Sequence, residues 1–290
     1  MTAPAKTVSQ IYTAPDYERA LLSEDPHYLV AQQRLLAEIK RTVRGPGQRI
    51  LEVGGGTGLF TQKLARSFSG ATVTVIEPDP EWFQVLKRRV GRFRNVVAER
   101  SGLQEFASAP QDACCASFAL HHIPHDWQPA ALERVAMLLR RGGSFVVLDK
   151  FIPDFRGECG RRAALKILHG YLSLWKERRG FRRGVWFELV SLDNSLARAG
   201  DYKISTRIFE RQCRGHFRVM RKVKVAPLGV AARVAEGVVD HLTGHGVSVS
   251  RWEAERVRTS IGDPRWGFFV YVLRRLGAPP GGWDRGGTKG

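Results

Sequence analysis

Between Arg49 and Ile152 the chain alternates short β-branched runs with amphipathic stretches. RILEV (49–53), TVTVIE (72–77), NVVAE (95–99), DACCASFAL (112–120) and SFVVLDKFI (144–152) read as strands. FTQKLARSF (60–68), EWFQVLKRRV (81–90) and PAALERVAMLL (129–139) read as helices between them. Strands separated by helices of this length predict βαβ units, and so a doubly wound, mostly parallel α/β sheet with helices on both faces. Upstream, Tyr28, Leu29, Leu35, Leu36 and Ile39 recur at helical spacing until GPG at 45–47, which predicts an N-terminal helical cap over 1–47.

After Pro153 the rhythm breaks. Residues 159–180 predict a long helix with Ala164, Ile167, Leu168, Tyr171 and Trp175 on one stripe, an insertion rather than another strand. Two further strands, HFRVMRKVKVAP (216–227) and WGFFVYVLRRL (266–276), flank a partly helical stretch at 228–242. The expected divisions are the cap, a core at 48–150, a helical substrate lid at 151–205, completion of the sheet at 206–276 and a disordered tail at 277–290.

Glycines 54, 56 and 58 fall where the first strand turns into the first helix. Without Cβ atoms this turn lets a nucleoside approach the backbone, and the free N–H groups of the helix that follows suit a carboxylate or phosphate. The spacing is GxGxG, whereas a dinucleotide fingerprint requires GxGxxG and position 59 is Leu. Glu52, two residues before the first glycine, is placed to meet a cationic amino group. Glu77, at the end of the second strand, is placed to accept both hydroxyls of a ribose.

ExGxGxG at Glu52 to Gly58, the acid at Glu77 and ASFALHHIPHDW after the fourth strand together resemble class I S-adenosylmethionine-dependent methyltransferases over residues 48–150. The resemblance implies a seven-stranded Rossmann-like methyltransferase fold with S-adenosylmethionine as cofactor. The methionine end would lie over Gly54, Gly56 and Gly58 with Glu52, the ribose on Glu77, and the adenine beside Glu99 and Leu120. Glu99 stands in for an aspartate the family often carries there. An NPPY or DPPY tetrapeptide is missing after the fourth strand, and Leu120-His121-His122-Ile123-Pro124 resembles the branch that methylates small molecules, quinones and lipids.

Methyl transfer from a sulfonium mostly requires alignment and exclusion of water, with a base only where the acceptor carries a proton. His121 and His122, beyond the fourth strand, are the candidate catalytic bases; the plainer roles are a loop hydrogen bond for one and packing for the other. Trp127 either covers the cofactor or caps the next helix, and Asp149 and Lys150 end the fifth strand at the same edge. Tyr12, Tyr17 and Tyr28 are candidates for a lid over the sulfonium, or for core packing.

A net charge of +18 changes the picture, because it suits an anionic partner or a broadly basic surface. Arg156, Arg161, Arg162, Lys166, Lys176, Arg178, Arg179, Arg182 and Arg183 concentrate in the insertion, interleaved with Trp175, Phe181 and Trp186. A second basic run at 207–224 carries helical spacing and reads as a solvated face. The cysteines at 114, 115, 159 and 213 have no metal-ligand or disulfide pattern, so no metal is expected. Neither a signal-type segment nor a transmembrane run is visible, which predicts a cytoplasmic protein. The expected function is methyl transfer to a small-molecule or lipid-like acceptor, which the charge would suit if anionic. An RNA methyltransferase comes second, and a non-catalytic S-adenosylmethionine-binding protein third.

Overall fold

Two helices, α1 (Ala14–Ser23) and α2 (Pro26–Thr42), precede the first strand. Asp25 starts α2 by accepting the Tyr28 N–H at 3.2 Å. The parallel part of the sheet is β1 (Arg49–Val53), β2 (Thr72–Ile76), β3 (Val96–Glu99), β4 (Gln111–Ser117) and β5 (Leu139–Phe151). Helices α3 (Leu59–Ser67), α4 (Pro80–Val90) and α5 (Gln128–Leu138) make crossovers. The computed structural model describes residues 13–23, 25–226 and 234–277, so Tyr12, positions 228–233 and nearly all of the expected tail lie outside the described residues.

The insertion is a pair of helices, α6 (Gly157–Arg178) and α7 (Arg182–Ala197). It is followed by α8 (Thr206–Cys213), β6 (Phe217–Ala226), α9 (Val234–Gly244), α10 (Arg251–Ser260) and β7 (Gly267–Arg275). The full order is β3-β2-β1-β4-β5-β7-β6, with β7 antiparallel to both neighbours. Strand alternation sends Cys115, Val146 and Val270 to one face, under α2, α3, α6, α9 and α10. Cys114, Val147 and Tyr271 go to the other face, under α5 and α8.

The basic run at 207–224 divides between α8 and the edge strand β6, the strand expected over 216–227, and most of its cations are exposed. Gly215 interrupts it, and Phe217, Val219, Val223 and Val225 favour the extended form. Charge on an edge strand also discourages pairing with another chain. The insertion's cations divide too. Lys166 pairs with Glu253 at 2.7 Å, Lys176 with Glu188 at 2.9 Å and Arg161 with Glu158 at 2.6 Å, all three cations being buried. No helix among the described residues is long and apolar enough to cross a membrane.

Strand order reverses between β1 and β4, whose crossovers leave in opposite directions and open a crevice at their carboxyl ends. Both the glycine turn after β1 and the histidine loop after β4 lie there.

Helices α6 and α9 touch through Gly170, where an added Cβ would come within 2.8 Å of Val238 and 2.9 Å of Leu242. Gly170→Val is therefore expected to cost about 1–3 kcal/mol by overpacking. A lowered urea midpoint would show this, and an unchanged one would refute the close crossing.

Candidate active site

Gly54, Gly56 and Gly58 all adopt positive φ, at 71°, 55° and 82°. A Cβ on Gly54 would lie 2.6 Å from that of Ala119. The tightest position is one that the spacing pattern passes over: a Cβ on Gly55 would lie 2.3 Å from Val75 and 2.4 Å from Leu86. The N–H groups of Gly54 and Gly55 both donate to the Ile76 carbonyl at 3.0 Å, pinning the turn to the end of β2.

Glu77 closes this floor. Its carboxylate accepts the Gly56 N–H at 2.8 Å and the Asp79 N–H at 3.0 Å, one on each oxygen, leaving further lone pairs for hydroxyl donors. Burial raises its pKa, with the two backbone donors opposing the shift. Glu52 is buried on the cleft wall, and its Oε2 has no hydrogen-bond partner among the described residues. Burial, with Glu77 adding repulsion, pushes Glu52 up to about 8. An orphaned carboxyl beside a glycine turn fits the ammonium of a bound amino acid, so the chain's residues fit the methionine end of the cofactor.

The cleft over this floor measures about 1420 Å³, mouth included. Tyr17 and Tyr28 line it, packed at ring-centroid distances of 4.6 Å against Trp82 and 5.3 Å against Phe118. Phe118 is held at φ 56°, a strained conformation for an aromatic residue directly after β4. Trp82 also lines the cleft, and its buried Nε1 has no partner among the described residues. Gln32 extends the polar wall, donating to Tyr28 Oη at 2.7 Å and accepting from Lys63 Nζ at 2.6 Å.

Other expected residues fall elsewhere. Glu99 ends β3 with its side chain exposed and outside the cleft, where Ser101 and Leu103 line the wall instead. Leu120 is buried beside a small apolar cavity behind His121. Trp127 is 59% exposed and covers nothing in the cleft.

Across Tyr17, Tyr28, Phe118 and His122 the cleft shares walls with a second chamber, bounded by β5 and α7. His121 Nδ1 pairs closely with Asp149, whose carboxylate also accepts the His121 N–H at 3.1 Å and the Lys150 N–H at 2.8 Å. His122 Nδ1 donates to the Gly200 carbonyl at 2.7 Å, which leaves Nε2 the basic nitrogen. Burial, with His121 adding to it, pushes His122 down to about 3, so its ring is neutral at neutral pH.

The segment between α7 and α8 builds this wall, and no sequence pattern had marked it. Tyr202 N–H donates to the His121 carbonyl at 2.6 Å, and Gln128 Nε2 donates to the Tyr202 carbonyl at 2.9 Å. Beneath it lie buried charges. Glu188 accepts from Lys176 at 2.9 Å and from His169 at 3.0 Å, with Lys150 Nζ 4.0 Å away. The nearby cations, Lys176 first, hold Glu188 well below the usual carboxylate range against its burial. Asp201 pairs closely with Lys203, while its other oxygen has no partner among the described residues.

Residues 50–143 match the family described as a methyltransferase domain. An uncharacterised methyltransferase of Anoxybacillus flavithermus is 28% identical over 138 residues, which are 47% of this chain and 63% of that relative. One from Bacillus cereus is 27% identical over 141 residues, 49% of this chain and 65% of that relative. The matched region thus spans just under two thirds of these relatives. Among solved structures, mycolic acid cyclopropane synthase complexed with S-adenosylhomocysteine superposes with a TM-score of 0.55 at 13% identity, covering 90% of this chain and 94% of that one. Geranyl diphosphate C-methyltransferase of Streptomyces coelicolor gives 0.52 at 11% identity, over 84% and 76%. Identities this low speak for fold alone. Residues 50–143 are a class I S-adenosylmethionine-dependent methyltransferase domain, and S-adenosylmethionine is its cofactor.

Two measurements test the assignment of the acids. Glu77→Ala is expected to weaken S-adenosylmethionine binding by about 1.5–3 kcal/mol through lost charged hydrogen bonds; unchanged affinity by calorimetry would remove Glu77 from the ribose site. Glu52 is protonated in the free protein below pH about 8, and an ammonium set against it favours the carboxylate. Binding should therefore release a proton near pH 7, and affinity should rise with pH until about 8. Binding enthalpies that do not vary with buffer ionisation enthalpy would exclude that contact.

Proposed function

We propose that the whole chain is an S-adenosylmethionine-dependent methyltransferase acting on a small or lipid-like acceptor held in the second chamber. The observation that carries this reading is the shared wall of Tyr17, Tyr28, Phe118 and His122, which joins the cofactor cleft to a chamber of mixed aromatic and ionic character. The bound cofactor supplies an electrophilic methyl group on a sulfonium. Glu52, the glycine turn and Glu77 hold it, while the aromatic walls exclude water and orient the acceptor. Where the acceptor carries a proton, His122 Nε2 is the group placed to take it, with Gly200 fixing the tautomer.

The buried Lys176 and the nearby Lys150 suit an acceptor with an anionic or electron-rich group. RNA is the less favoured acceptor, because Arg161, Lys166 and Lys176 point their charge inward and the basic run at 207–224 is split between α8 and the edge strand β6.

Methyl-labelled cofactor incubated with fractionated extract is expected to label the small-molecule or lipid fraction. Label in RNA, with steep salt dependence, would replace this acceptor class, and tight cofactor binding with no transfer to any fraction would leave a binding protein. His122→Gln is expected to lower turnover by about 100-fold for a proton-bearing acceptor while leaving cofactor affinity unchanged. Because His122 stays neutral, wild-type turnover should show no inflection from it between pH 5 and 8. Undiminished turnover in the variant would exclude it as the base.

A further inference from the structure

Away from the cleft, His241 in the last turn of α9 and His245 just beyond it are one helical turn apart, and Glu177 reaches them from the end of α6. One nitrogen from each imidazole and one carboxylate oxygen lie within 4.8 Å of one another. His241 is buried, whereas Glu177 and His245 are exposed and leave a path from solvent. Side chains four residues apart on a helix share a face, so two imidazoles can serve one ligand.

A hydrogen-bond relay decides what these groups present. Ser173 Oγ donates to the Gly170 carbonyl at 3.2 Å, and so accepts from His241 Nε2 at 2.9 Å. With the proton on Nε2, Nδ1 turns a lone pair toward Glu177 Oε2, 2.6 Å away, the arrangement that a shared cation requires. Two lone pairs at that distance repel unless a positive charge lies between them. On the other side of the carboxylate, His245 Nε2 lies 3.2 Å from Oε1. One divalent ion satisfies all three groups.

We propose that Glu177, His241 and His245 form a binding site for a transition-metal ion of the zinc class, with water completing a tetrahedron. The Ser173 hydroxyl acts as the outer partner that orients a metal-bound imidazole. Such an ion clamps α9 to α6 one residue beyond Lys176, whose side chain borders the second chamber. It takes no part in methyl transfer and does not depend on that reading.

The test uses untagged, metal-stripped full-length protein titrated with Zn²⁺ by calorimetry and with Co²⁺ by visible absorption. The expected result is one ion per chain, with tetrahedral Co²⁺ bands, loss of both signals in His245→Ala, and about tenfold weaker binding in Ser173→Ala. Cys159→Ser, which removes an exposed thiol able to compete for the ion, should bind as wild type does. Circular dichroism and cofactor affinity unchanged in His245→Ala would show that the fold persists. No stoichiometric binding by the wild type, binding that survives His245→Ala, or binding lost in Cys159→Ser would overturn the proposal, the first leaving a hydrogen-bonded His–Glu clasp.

Discussion

The backbone at Gly54 and Gly55 runs so close to Ala119, Val75 and Leu86 that there is no room for a methyl group on either residue. That closeness lets both N–H groups reach one carbonyl, Ile76, at the end of the neighbouring strand. It also brings Gly56 within reach of Glu77, so the carboxylate and the turn are held in one rigid piece. Any swelling of the turn would move the carboxylate away from the Gly56 N–H that it accepts at 2.8 Å. The positions of Glu52, Tyr28 and Phe118 around the cleft are set against this floor.

The other half of the site is organised by charge instead of glycine. Burying Glu188 beside a single lysine would be marginal, since desolvation of an ion pair rivals its attraction. Here Lys176, His169 and Lys150 share the carboxylate, and Lys203 closes on Asp201 nearby. The result is a polar wall whose charged groups hold one another in place. It also explains why so basic an insertion presents less positive surface than its composition suggests.

How much of this was legible depended on whether each signal was local. Strand and helix periodicity marked β1 to β5 and their crossovers, and the turn spacing with Glu77 marked the floor of the cleft. Gly55 was not legible because its need arises from side chains 20 and 31 positions away, Val75 and Leu86. Glu99 shows the reverse failure: its order along the chain was suitable, but its side chain faces solvent. The wall from Gly200 to Lys203 has no periodicity, and only its bonds to His121, His122 and Gln128 reveal its place. Helix α10 escaped notice because it is largely polar, with only Ala254, Val257 and Ser260 buried, although its Ser250–Glu253 capping box is present in the sequence.

The position of β7 in the sheet bears on how the protein is made. Synthesis delivers β5 and β6 long before the strand that lies between them. Until residues 267–275 leave the ribosome, the edge of β5 has no partner on that side, and β6 has no sheet to join. The nascent chain therefore carries an open, strongly apolar margin while residues 152–266 are being added, a period in which chaperone protection against mispairing matters.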